Sequence, residues 1–168
     1  AATSAERDDG RSLFASNLAA AFSHLGGRTL LVDADMRHPR QHEIFGVSNE
    51  SGLSGILAGR AESNAIRAVT GLPSLFVLPV GTIPPNPTEL IERPAFGLLM
   101  RELLSKFDYV VVDTPAASIS SDYASVAARS GAALVVARTN QSRFDSTQAL
   151  VSGFSGTDAQ VLGVVLND

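Results

Sequence analysis

The chain has 168 residues, 45% hydrophobic and 18% charged, the size and balance of a single domain with an ample core, here spanning 1–168. A formal net charge of −4 argues against a nucleic-acid surface, which needs clustered Lys and Arg, and the absence of cysteine excludes disulfides and thiolate metal sites. No apolar run approaches the ~20 residues that cross a bilayer, so no membrane insertion is expected of this domain; its start at Ala1 instead of Met predicts a domain excised from a longer chain.

Residues 5 to 12, Ala-Glu-Arg-Asp-Asp-Gly-Arg-Ser, come first and precede a helix expected over Leu13–Leu25, where Phe14, Leu18, Ala21, Phe22 and Leu25 recur at helical spacing before Gly26-Gly27. Thr29 to Val32 is a continuous apolar run ending at Asp33, the mark of a central parallel strand covered on both faces. Weaker helical patterns follow at 53–58 and 62–69, then a short strand at 75–78. A helix is expected from Pro94 to Ser105, a strand from Tyr109 to Val112 before Asp113, and a helix from Ser121 to Arg129. The chain closes with a strand at 132–137, a helix at 144–154 and a strand at 160–166. This alternation gives an α/β fold: a doubly wound, mainly parallel sheet with helices on both faces. Ligands in such sheets bind at the carboxyl ends of the strands.

Three suspicious places fall at those ends. The loop before Ser12 has the position of a phosphate-binding loop, in which glycine lets backbone N–H groups crowd an anion, lysine reaches the β- and γ-phosphates and a hydroxyl meets magnesium. Gly10 and Ser12 fit that pattern, but Arg11 stands where lysine belongs, and the chain's one lysine is Lys106. Asp8 and Asp9 add negative charge where a triphosphate would lie; a carboxylate ~6 Å from a phosphate charge costs about 3 kcal/mol at an effective dielectric near 20. Asp33 with Asp35 ends one strand and Asp113 another, so carboxylates face a helix N-terminus across one crevice, where Mg²⁺ and a phosphate would both be at home. Taken singly, each Asp is as readily a turn former or N-cap, and Asp35 could simply pair with Arg37 in a solvated basic loop at 37–40. His38 and His42 are four apart with Pro39 between, a poor metal pair; His24 reads as helix surface; no hydrolase triad is in register among Ser118, Ser120 and Ser121.

In order, these segments resemble the kinase domains of the bacterial tyrosine kinases (BY-kinases) that regulate capsule and exopolysaccharide chain length. Residues 12–19 resemble the helix after the family's Walker A loop, Leu30 to Arg37 its second Walker motif with Asp-x-Asp-x-Arg, 81–90 its Pro-Pro-Asn-Pro loop, and Phe107 to Pro115 its Walker B strand. The resemblance implies a P-loop NTPase-like fold and ATP with Mg²⁺ as cofactors. Catalysis would fall to Asp35 as the base for a tyrosine hydroxyl, with Asp33 and Arg11. Gly10, Arg11, Ser12 and Asn167 would bind nucleotide, Asn167 at the adenine, while Ser12, Asp33 and Asp113 would hold the metal. It implies a cytoplasmic domain at the inner face of the membrane, partnered by a membrane-anchored polysaccharide chain-length determinant and able to form homo-oligomers. The sequence departs from the family at Arg11, at Asp8 in place of a loop glycine, at Ala116 in place of a second proline, and in having no carboxyl-terminal tyrosine cluster. Those departures keep a second reading open, a degraded, non-catalytic member that acts as a scaffold for the chain-length determinant. A Min/Par-type partitioning ATPase is a third reading, weakened because Glu6 stands where that group carries its signature lysine.

Overall fold

The computed structural model describes residues 1–60 and 62–168. The described strands are β1 (Ala2–Ser4), β2 (Thr29–Asp33), β3 (Arg67–Val69), β4 (Leu72–Leu78), β5 (Tyr109–Asp113), β6 (Ala132–Arg138) and β7 (Gln160–Asn167). They form one sheet in the order β3-β4-β2-β5-β1-β6-β7, in which β3 against β4 is the antiparallel pair and the other pairs are parallel. The expected doubly wound architecture is therefore present.

Period-two alternation splits β2 between two cores. Leu30 and Val32 face one layer, which is filled by Leu53 and Leu57 of α3 (Leu53–Leu57), Leu90 and Ile91 of α4 (Pro87–Glu92), and Phe96, Met100 and Leu103 of α5 (Pro94–Lys106). Leu31 faces the other layer with Leu75, Val77 and Val111, under Ala15 and Ala19 of α1 (Arg11–His24). A third cluster joins Ala133 and Val135 of β6 to Ala127 of α6 (Asp122–Ser130) and Leu150 of α7 (Phe144–Gly153).

The seat of α1 differs from its sequence pattern. The buried stripe is Ala15, Ser16, Ala19 and Ser23, whereas Leu13 and Leu25 are exposed and Phe14, Leu18 and Phe22 flank the stripe half-buried. Small residues let the helix axis approach the sheet closely, so the bulky ridge packs beside the contact instead of in it. Two further corrections concern short elements. Residues 67–69, expected as the end of a helix over 62–69, are strand β3, folded back on β4 by the Thr70-Gly71 turn in which Gly71 has φ +83°. Strand β1 and helix α2 (Gln41–Phe45) were not expected from the pattern, being three and five residues long.

Strand β1 positions the site. Its neighbours are β5 on one side and β6 on the other, so the sheet grows outward from it in both directions, and the loop that leaves its carboxyl end opens into the resulting crevice.

Candidate functional site

The loop from Ala5 to Gly10 leaves buried β1 and turns into α1. Gly10 sits at φ +80°, a left-handed conformation that L side chains rarely adopt, and a Cβ there would lie 2.1 Å from Nδ2 of Asn167 at the end of β7. No side chain caps α1, so the N–H groups of its first turn point into the crevice free of a side-chain acceptor. The loop is braced from below. Ser4 Oγ donates to the Glu6 carbonyl at 2.7 Å, Glu6 N–H donates to Asp9 Oδ2 at 3.0 Å, and Ser142 Oγ donates to Asp9 Oδ1. Asp9 is consequently buried and turned away from the crevice, which corrects the expectation that it would crowd a triphosphate. Asp8 is exposed and does line the crevice.

Asp33 and Asp113 are register partners on adjacent strands, which brings two carboxylates together under full burial. Asp33 is satisfied by the main chain: Oδ1 accepts from Asp35 N–H at 3.2 Å and Oδ2 from the N–H groups of Arg40 and Gln41 at 3.0 Å each. Burial pushes its carboxyl well above the usual range, the charges of Asp113 and Asp35 push it further, and the N–H groups of Gln41 and Arg40 pull it back. Asp35 Oδ1 accepts from the N–H groups of Arg37 at 3.2 Å and His38 at 3.1 Å.

The counterion is Arg11. Its Nε donates to Asp113 Oδ1 and its Nη2 to Asp35 Oδ2, both at 2.9 Å, and Nη1 donates to Ser4 Oγ at 3.2 Å; the side chain is 5% exposed. A lysine has one charged nitrogen, whereas the guanidinium fork reaches two carboxylates on different strands at once. Asp35 therefore pairs with Arg11, correcting the alternative that it would pair with Arg37. Arg37 instead reaches Thr88 Oγ1 at 2.9 Å, Ser120 Oγ at 3.3 Å and Asp122 Oδ2 at 3.4 Å.

Above Arg11 lies a polar cleft of about 520 Å³, lined among others by Gly10, Ser12, Asp35 and Arg138. Of the residues singled out from sequence, Gly10, Arg11, Ser12 and Asp35 line this cleft; Asp33 and Asp113 lie behind the guanidinium, and Asn167 stands beside Gly10. Sequence reasoning passed over Gln41, whose buried Nε2 donates to Asp113 Oδ2 at 2.8 Å and to the Ser12 carbonyl at 3.0 Å. It also passed over Arg138, which ends β6 as Asp33 ends β2 and could have been flagged by the same strand-end rule. Next to the cleft, α7 leaves part of β7 uncovered, and an apolar cavity of about 650 Å³ opens there between Phe144, Val151, Val164 and Leu166, with Arg138 shared by both.

No family model matches the chain. It is 34% identical over 168 residues to the putative tyrosine-protein kinase CapB of Staphylococcus aureus, covering 98% of this chain and 72% of that protein. The chain belongs to the bacterial tyrosine kinase family. It is 37% identical over 158 residues to tyrosine-protein kinase Wzc of Salmonella typhimurium, covering 94% of this chain, and spans only 22% of that longer protein. Among solved structures, the kinase domain of Escherichia coli tyrosine kinase Etk superposes with a TM-score of 0.92 at 34% identity, over 99% of this chain and 65% of that one. The septum site-determining protein MinD of Pyrococcus horikoshii, solved with Mg-ADP, shares the fold with a TM-score of 0.83 at 22% identity, over 99% and 69% of the two chains. The bacterial tyrosine kinase domain and the P-loop NTPase-like architecture are thus shared from end to end of the described sheet.

Proposed function

We propose that this domain binds ATP in the cleft over Gly10 and Ser12 and serves a bacterial tyrosine kinase system of exopolysaccharide or capsule production. It would act on the cytoplasmic side of the membrane beside a membrane-anchored chain-length determinant. The observation that carries this reading is the meeting of an uncapped helix N-terminus, a left-handed Gly10 and the three strand-end aspartates around one crevice. Ser12 and the first-turn N–H groups would hold phosphate, with Arg138 and Arg40 over it, and Asn167, which stands beside Gly10, would contact the base.

Asp35 is the base in this reading. Both of its oxygens are engaged, one by Arg11 and the other by two main-chain N–H groups, so it takes a tyrosine proton only once Arg11 lets go of Oδ2. Magnesium, which the resemblance assigns to Ser12, Asp33 and Asp113, does not fit the arrangement as it stands. Every oxygen of Asp33, Asp35 and Asp113 already accepts a hydrogen bond, and the described residues include no cluster of three acidic or histidine side chains disposed to hold a metal.

The same ion pairs favour a second reading, a nucleotide-responsive but non-catalytic subunit. Calorimetric titration with ATP, followed by a phosphotyrosine immunoblot of the wild type and of Asp35→Ala, tests the two. The kinase reading expects transfer in the wild type and its collapse in Asp35→Ala; transfer unchanged by that substitution would remove Asp35 as the base. ATP binding with no phosphotyrosine on any chain of the assembled complex would favour the non-catalytic subunit.

A further inference from the structure

The disagreement between the family's metal and this carboxylate cluster leads to a statement about Arg11 that rests on the nucleotide-binding reading above. We infer that the Arg11 guanidinium is a resident counter-cation in place of Mg²⁺, so that this cleft takes a nucleoside triphosphate in metal-free form.

Three observations carry it. First, the guanidinium bridges Asp35 and Asp113 at 2.9 Å to each, and the remaining Asp113 oxygen is held by Gln41 at 2.8 Å, so an incoming cation meets no open oxygen on Asp33, Asp35 or Asp113. Mg²⁺ requires oxygen ligands at about 2.0–2.1 Å in octahedral array, and a fixed guanidinium between the two carboxylates leaves no such array. Second, Arg11 has donors in reserve. A guanidinium carries five N–H groups, and three are engaged by Asp113, Asp35 and Ser4, which leaves two for a phosphate oxygen from a residue that lines the cleft. Third, the cleft replaces the charge that a metal would bring. Arg7, Arg40 and Arg138 line it against Asp8, an excess that outweighs the one negative charge left where Arg11 meets Asp35 and Asp113, although the chain as a whole is acidic. Bidentate, always-charged guanidinium is well matched to phosphate oxygens.

The test is calorimetric titration of the wild-type domain with ATP in EDTA and in excess Mg²⁺, with Arg11→Lys treated identically. The expected result is wild-type affinity no weaker in EDTA than in excess Mg²⁺, where chelation withdraws the free nucleotide, and a lysine variant that gains at least about tenfold from Mg²⁺. Wild-type affinity more than about tenfold weaker in EDTA overturns the inference while leaving nucleotide binding intact. No heat and no thermal shift with ATP in either condition overturns the nucleotide-binding reading itself, and the inference with it. The wild-type comparison decides the matter alone if Arg11→Lys fails to fold.

Discussion

Arg11 follows β1 and Arg37 follows β2, with β5 between the two strands, and each faces an aspartate, yet they do opposite work. Arg11 is 5% exposed and binds two carboxylates at 2.9 Å, each of them almost fully buried. Arg37 is 33% exposed, reaches Asp122 at 3.4 Å, and divides its remaining contacts between two hydroxyl groups. A buried ion pair adds little net stability relative to apolar packing, but removing one partner leaves an uncompensated charge in a medium that cannot solvate it. In the second pair only the arginine is reached by water; the Asp122 side chain is 3% exposed, so breaking that pair costs more than a surface pair but less than leaving two carboxylates without their counterion. The first arginine is therefore a fixture of the site, and the second is free to exchange partners.

That contrast can be broken at its strongest point by Arg11→Ala. With Asp33, Asp35 and Asp113 left together at the strand ends, unfolding in urea should show a loss of about 3–5 kcal/mol. A loss below about 1 kcal/mol would mean that water reaches the carboxylates and that Arg11 is no better seated than Arg37.

Next in size is the pH response of Asp33. Its ordinary value is 3.8 and its folded value is raised, so ionising it costs more in the folded chain than in the unfolded one. The stability it contributes is fully present below 3.8 and is lost as pH rises through the folded value. Unfolding free energies of the wild type and Asp33→Asn, measured over a pH series, should differ by an amount that shifts against the wild type with rising pH across that window. The lost N–H acceptors of the variant add only a constant offset, so a flat difference would count against the raised value.

The smallest expected effect is that of Arg37→Ala, about 1–3 kcal/mol because buried Asp122 loses its charged partner, and the same pH series should keep its slope in that variant. An effect as large as that of Arg11→Ala would show that the Arg37 cluster with Thr88, Ser120 and Asp122 is a second buried counterion site.

How far this site could be read from the sequence depends on the range of each interaction. Strands β2, β5, β6 and β7 were legible because a run with two apolar faces is a local signal, and Asp33 and Asp113 were legible because they end such runs. Strand β1 was not, since Ala2, Thr3 and Ser4 become a central strand only through pairing with β5 and β6. Residues 62–69 were misread because Ala65, Ile66, Ala68 and Val69 satisfy a helical spacing as well as a strand one, and the antiparallel pairing with β4 decides between them. The presence of Arg11 was plain, but its role was not. Its partners lie 24 and 102 residues away, and nothing local distinguishes an arginine that will reach a ligand from one that will be drawn down onto carboxylates.

Asp9 read as an electrostatic fault in the loop, and its hydrogen bonds to Glu6 and Ser142 give it another consequence. By tying the loop to the β6–α7 connection, it fixes backbone dihedrals that a glycine-bearing loop would otherwise sample freely, and each residue so fixed removes about 1–2 kcal/mol of ordering entropy from any later binding event. The cradle is thus shaped before an anion arrives, and amide hydrogen exchange over residues 6–10 should be slow in the empty protein and quicken in Asp9→Ala.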